Sequence, residues 1–414
     1  MSENRLLPVS PWKNDFPMLE QTAYGRPLVY LDNAATTQMP EPAVRRLSRH
    51  YETEHANIHR GAHYFSSLST EQVEEVRCAV RDFLHAEKEE EIIFTAGATD
   101  SAALVANGIR EQIGPGDAVM ATELEHHSNY VPWQEICRQT GARFLTVPVD
   151  ADGDLDMEKA ENLLKTNRVF LFAVTQVSNS VGTAVDVKSM AGLAHKYGAQ
   201  LFVDGAQGVR HGEADMQELD CDYYCFSAHK MMGPTGVGIL YGKEKCLEKL
   251  LPLRLGGGMV DRVDAAGTTY AELPYRLEGG TPPIAEIIAF GASLEYLQSQ
   301  GMDRIAAQED ALISYLESRL REREDIHILG NPAKREGLVS FYSCEVHSFD
   351  IAGMLDRQGV AVRSGSLCAQ PALRSFGLET VVRVSPAFYN GKEDIDRFCS
   401  ALDTAMRFFG SLSR

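Results

Sequence analysis

Short apolar runs bounded by turn residues recur through the middle of the chain. Residues 118–122, 143–147, 169–175, 200–204, 223–227 and 237–241 each have the length and composition of a buried strand. Between them, apolar positions return at helical spacing over 129–140, 157–165 and 187–197. Strands that alternate with helices predict a mostly parallel sheet covered on both faces. Ligands in such sheets sit beyond the carboxyl ends of the strands, so the residues that follow each run carry the most chemical interest. From 285 to about 323 the pattern is helical, with a break near Gly301. Apolar runs at 337–342, 360–362 and 381–385 precede a last helix that starts near Lys392. The expected organisation is an α/β protein: a large domain over 21–295 and a smaller C-terminal α+β domain over 296–414. Residues 1–20 are expected to fold back onto the small domain.

Composition narrows the classes. A chain of 414 residues suggests two or three units at about 150 residues each. Forty Lys and Arg against 58 Asp and Glu leave a net charge of −18, which argues against nucleic-acid partners. No apolar run approaches the roughly 18 residues of a membrane span. The start, from Met1 to Phe16, lacks the apolar core of a signal peptide. Eight cysteines are too sparse for a disulfide framework. A cytoplasmic protein with reduced thiols is the expectation.

Two strand ends stand out. Phe202-Val203-Asp204-Gly205-Ala206-Gln207 runs an apolar strand into an Asp. Phe226-Ser227-Ala228-His229-Lys230 places Ser, His and Lys directly after another. A Lys that follows a buried strand suits phosphate binding or, with a lowered pKa, imine formation. Asp at one strand end and Ser-x-His-Lys at another suit pyridoxal phosphate: the Lys forms the Schiff base, the Asp partners the pyridine nitrogen, and hydroxyl and His groups bind phosphate.

With these residues in place, the sequence resembles the class V, fold-type I pyridoxal-phosphate enzymes, and within them the cysteine desulfurases of the NifS/SufS kind. The resemblance runs through Tyr30-Leu31-Asp32-Asn33-Ala34-Ala35, His59-Arg60-Gly61, Glu125-His126-His127-Ser128-Asn129, Ser178-Asn179-Ser180, Asp204 to Gln207, Ser227 to Lys230, Glu278-Gly279-Gly280-Thr281 and Arg363-Ser364-Gly365-Ser366-Leu367-Cys368. It implies a role for each matching residue. Lys230 is the Schiff-base lysine, Asp204 the pyridinium partner, and Gln207 the group near the ring oxygen. His126 stacks on the ring, and Asn179 lies near the ring oxygen and the substrate carboxylate. Thr99, Ser227 and His229 are phosphate ligands. Thr281 reaches the phosphate of the other subunit, which implies a homodimer. Arg383 clamps the substrate carboxylate, with Arg363 near the same pocket.

Cys368 is the nucleophile that takes sulfur from L-cysteine, leaving L-alanine and a persulfide. The implied use of that sulfur is iron–sulfur cluster assembly, through a SufE- or SufU-like acceptor protein. A cation near the thiol would favour the thiolate, and Arg363 is the candidate by proximity. The sequence departs from the SufS pattern at Ser366 and Leu367, where that branch has two His, and Gly97-Ala98-Thr99 looks IscS-like. The spacing from Cys368 to Arg383 is SufS-like. The alternative reading is a selenocysteine lyase or another class V aminotransferase or lyase.

Other motifs have plainer readings. His55, His59 and His63 sit four apart, but Asn57 and Gly61 weaken a helix there, and no metal is expected. Asp150 to Asp156 imitates a calcium loop with Leu155 in the place of the required Gly, so a turn and a helix capped by Asp156 are expected. Cys221 and Cys225 share strand parity and should pack. The acidic run 87–91 should mark a solvated turn. His347 reads equally as a surface residue or as one facing an acceptor.

Overall fold

The computed structural model describes residues 8–212 and 214–412, so residues 1–7 of the expected N-terminal segment lie outside the described residues. Its main sheet has strands β1 (Ile92–Thr95), β2 (Asp117–Thr122), β3 (Arg143–Val147), β4 (Arg168–Thr175), β5 (Gln200–Asp204), β6 (Tyr223–Ser227) and β7 (Gly238–Gly242). Their order is β1-β7-β6-β5-β4-β2-β3. Pairings from β6 through β3 are parallel, and β7 is antiparallel to both of its neighbours.

Alternation along these strands builds two apolar layers. Met120, Phe172, Val203 and Phe226 enter one core. Val119, Leu171, Phe202 and Cys225 enter the other. Each buried Phe in this set stabilises the fold by about 1.5–3 kcal/mol. Cys221 and Cys225 are both buried, yet on opposite faces, because the strand starts only at Tyr223 and the expected parity does not reach Cys221.

The C-terminal sheet holds β8 (His327–Ile328), β9 (Val339–Tyr342), β10 (Arg363–Gly365) and β11 (Val381–Val384) in the antiparallel order β8-β9-β11-β10. Helices Met302–Arg321, Ser348–Asp356 and Lys392–Leu412 pack Leu312, Ile351 and Phe398 against Phe341 and Val382. Helix Ile284–Gln300 leads into Met302–Arg321 through Gly301, whose φ of +86° costs a glycine least. The start of the chain is interleaved with its end. Val29–Tyr30 pairs in parallel with Val360–Ala361. Trp12 meets Phe388 edge-on at 5.3 Å, and Phe16 lies 4.5 Å from the Tyr389 ring.

Several elements exceed what periodicity showed. Helices Glu41–Arg49, Tyr64–Phe83 and Ala98–Gly108 and strand β1 carry short or polar-rich patterns. The acidic run is a turn, but Glu91 points inward and accepts backbone N–H bonds from Glu87, Lys88 and Glu244. Asp150 closes its turn by accepting from the N–H groups of Asp152, Gly153 and Asp154, and Asp156 caps helix Met157–Thr166 through Lys159 N–H. No helix among the described residues is long and apolar enough to cross a membrane.

Arg77, on helix Tyr64–Phe83, is buried and grips Glu278 through two bonds of 2.7 and 3.0 Å. Glu278 also accepts the N–H of Phe94 in β1. Removing the guanidinium strands a carboxylate at 10% side-chain exposure. Arg77→Ala is therefore expected to cost about 3–5 kcal/mol, read as a lower midpoint in thermal or urea denaturation. An unchanged midpoint would show that the clamp does not support the fold.

Candidate active site

The carboxyl ends of the parallel strands open into one cavity of about 310 Å³. It is lined by Thr99, His126, Asn179, Asp204, Ser227, His229, Lys230, Arg363, Cys368 and Arg383. Gln207 lies just behind, buried, and donates to the carbonyl of Ala34, which is itself part of the lining. Thr281 lies elsewhere, beside Gly280, His59 and Arg60.

The topology explains the gathering. Asp204 ends β5 and Ser227 ends the adjacent β6, with Lys230 in the short turn Ala228–Lys230 that follows. His126 and Asn179 each lie four residues past β2 and β4. Helix Ala98–Gly108 points its N-terminus at the cavity, and Ala98 N–H donates to Ser227 Oγ at 2.8 Å. That terminus, with Thr99, Ser227 and His229 around it, offers donors for a phosphate. Gly238 must be glycine for the approach to exist: a Cβ there would sit 2.3 Å from Gly97 Cα.

Burial sets the charges. It pushes the Lys230 ammonium below its ordinary pKa, against the pull of Asp204. It pushes the Asp204 carboxyl up, against the pull of Lys230. His126 falls to about 3, by burial first and then by the Lys230 charge, and His229 falls to about 4 for the same reasons. Both imidazoles are neutral near pH 7.

The arginines and the cysteine come from the C-terminal sheet. Arg363 in β10 and Arg383 in β11 are directly opposed. Arg383 is buried and donates through one terminal nitrogen to the Asn179 carbonyl at 2.9 Å. Its Nε and the Oδ1 of Asn179 are buried without a partner. Burial brings its guanidinium down to about 10. Arg363 is half exposed and ion-paired with Asp32 at 2.7 Å, so its charge is committed to that carboxylate rather than free beside the thiol. Cys368 is exposed. Leu367 and Cys368 both hold φ near +55°, a conformation that L residues keep only when the surroundings impose it. Here Asn179 Nδ2 donates to Leu367 O at 2.7 Å, and His127 N–H donates to Cys368 O at 2.8 Å. The loop is thus pinned to the main sheet from two sides. His347 caps helix Ser348–Asp356 and stacks on exposed Phe349.

Sequence reasoning gave no role to His127, Asp32 or Glu125, although all three lie in the quoted motifs. Glu125 is fully buried and accepts bonds from Thr122, Asn129 and the Thr175 N–H, tying the His126 loop to the ends of β2 and β4. Burial raises its carboxyl to about 8 despite those donors. Glu125 comes three residues past β2, behind Glu123 and Leu124, and no local pattern marks it apart from an exposed loop carboxylate. Among the described residues, no group of three or more His, Cys, Asp or Glu could hold a metal ion.

The aminotransferase class-V family model matches residues 29–398. A protein of Halalkalibacterium halodurans called a probable cysteine desulfurase is 43% identical over 399 residues, covering 96% of this chain and 98% of the relative. The crystal structure of the cysteine desulfurase CsdA from Escherichia coli superposes with a TM-score of 0.88 at 35% identity, covering 96% of this chain and 98% of that one. The apo structure of a cysteine desulfurase from Thermococcus onnurineus gives 0.91 at 34% identity, covering 99% and 100%.

The depressed His126 and His229 imply an acid limb in stability. Their folded-state pKa values lie below the ordinary 6.5, so the unfolded chain binds more protons between those limits. Stability from the neutral rings is complete above pH 6.5 and is lost as pH falls toward about 3 to 4. Urea titrations across that range should show a falling midpoint, and His126→Gln should have a shallower fall than the parent. Parallel slopes for the two proteins would refute the assignment.

Proposed function

The chain belongs to the class V aminotransferase family, and from that premise we infer that it is a pyridoxal-phosphate-dependent cysteine desulfurase, converting L-cysteine to L-alanine. The observation that carries this reading is the presence of Lys230 and Cys368 on one cavity, although they come from different sheets. The residues present fit the cofactor. Lys230 sits in the turn just past β6 and buried Asp204 ends the adjacent β5, a helix N-terminus faces the same space, and Asn179 Oδ1 and Arg383 Nε are buried there with open bonding capacity. Thr99, Ser227 and His229 would hold its phosphate, Asp204 its ring nitrogen, Gln207 and Asn179 its ring oxygen, and His126 its ring face. When bound, pyridoxal phosphate supplies an electron sink that eases bond breaking next to the substrate Cα.

The chain's own groups supply the rest. Lys230 anchors the cofactor, and burial, which works against its ammonium form, favours the amine that would take the Cα proton. Neutral His126 can lie against a flat ring without adding charge. Arg383 orients the substrate carboxylate, since a planar guanidinium can donate two parallel hydrogen bonds to it. Cys368 stands at the exposed rim, where its Sγ can attack the substrate sulfur. An S–S bond to Cys368 forms as the substrate C–S bond breaks, and the persulfide faces solvent, accessible to an acceptor.

The finer reading is a cytoplasmic, SufS-like homodimer that supplies iron–sulfur cluster assembly through a SufE- or SufU-like acceptor. Support for the dimer comes from Thr281, which lies away from its own cavity, and from exposed apolar residues such as Tyr64 and Leu255. Support for the SufS branch comes from the short spacing between Cys368 and Arg383.

The purified protein is expected to be yellow and to release alanine and, with a reductant, sulfide from L-cysteine. Lys230→Ala should abolish alanine formation. Cys368→Ala should lower it by about 100-fold or more. Full activity in Cys368→Ala would overturn the mechanism.

A further inference from the structure

The turn that follows β4 presents Asn179 to the cavity and is a compact unit of its own. Ser178 N–H donates to Thr183 O, and Gly182 N–H donates to Ser178 O, closing residues 178–183 on themselves. From this turn Asn179 holds both reactive parts that the C-terminal sheet supplies. Its Nδ2 donates to Leu367 O at 2.7 Å, and its carbonyl accepts from Arg383 at 2.9 Å. The position of the turn is therefore coupled to that of the cysteine loop and of the Arg383 guanidinium.

The far side of the turn is gripped by the segment between β8 and β9. Ala184 N–H donates to Lys334 O and Glu336 N–H to Gly182 O, with Thr183 and Arg335 paired as an antiparallel bridge. The Arg335 side chain, only 5% exposed, reaches across this short ladder. One terminal nitrogen donates to Val181 O, two residues from Asn179. The other donates to Gly330 O at 2.8 Å and to Leu329 O at 3.3 Å, just past the end of β8. Among the described residues Nε makes no hydrogen bond, and it lies 3.7 Å from Glu317. The guanidinium thus directs its donors at backbone carbonyls of two separate segments, which its planar fork allows and an ion pair alone would not need.

We propose that Arg335 is a positioning residue for the active site: by tying the Asn179 turn to the end of β8, it keeps the cysteine loop and Arg383 in place against the cavity. Arg335 is absent from the cavity lining, so it acts through the turn and not on substrate. The backbone bonds of Ala184 and Glu336 remain when its side chain is shortened, so the turn loosens without being released. What Arg383 and Cys368 do to substrate rests on the desulfurase reading; the coupling between the turn and the loop does not.

The test uses the holoenzyme of Arg335→Met, which keeps an unbranched side chain but no donor, and reads two places that Arg335 does not touch. Hydrogen–deuterium exchange should quicken by about tenfold in peptides over 366–373, where the Ala369 and Leu373 N–H groups are bonded, as well as over 178–184. Peptides over 200–207 and 223–230 should exchange as in the parent. The dissociation constant of L-alanine, followed by the change in cofactor absorbance, should rise by about tenfold. Arg335→Lys keeps the charge and loses the planar fork, so it should move both readouts the same way, and it decides the matter if Arg335→Met does not fold. Faster exchange confined to 178–184 and 329–338, faster exchange spread equally through 200–207 and 223–230, or an unchanged alanine constant would overturn the proposal. Alanine formation from L-cysteine by the parent enzyme is scored separately, so failure of the desulfurase reading shows as its absence.

Discussion

A lysine and an aspartate brought together where two neighbouring parallel strands end, the aspartate buried and the lysine partly so, are the constraint around which this molecule is arranged. Burial opposes the charged form of Lys230 and of Asp204, while each group favours the charge of the other. Such a pair persists only where tight packing holds it. The two apolar layers on either face of the sheet supply that packing, and the register of β5 against β6 brings the two strand ends side by side. The glycine approach at Gly238 and the serine contact at Ala98 then set a helix terminus beside them.

A second sheet completes the site, and its contribution is electrostatic as well as steric. It brings two guanidinium groups to a cavity that already contains a lysine. Two guanidinium groups set against each other beside Lys230 are tolerable because Asp32 enters from a segment near the start of the chain and pairs with both, most closely with Arg363. The same sheet presents the cysteine loop, and the main sheet holds that loop through Asn179 and His127. Each sheet therefore fastens a reactive part of the other. The strained backbone at Leu367 and Cys368 sits where these two attachments meet.

Much of the fold was legible because buried parallel strands must be continuously apolar and short. The runs at 143–147, 200–204 and 223–227 match β3, β5 and β6 residue for residue. The break near Gly301 is a helix boundary made by a positive φ, which its residue type foretold. Helix Tyr64–Phe83 was illegible because its buried stripe contains Ser66, Ser69 and Arg77 among the apolar residues. The acidic run misled in part, because Glu91 is buried by satisfying three backbone donors that lie close only after folding.

Residue identity by itself determined the chemistry on offer: a lysine and an aspartate at strand ends, arginines and a cysteine farther along, and a charge that disfavours nucleic acid. Those are local properties, readable from side-chain types and the length of apolar runs. Which groups share a cavity, which arginine Asp32 holds more closely, and which way Glu91, Cys221 and Glu125 point were decided by tertiary structure. The reason is that charge and burial depend on distance through space, and Asp32 lies 331 positions in sequence from the arginine it compensates.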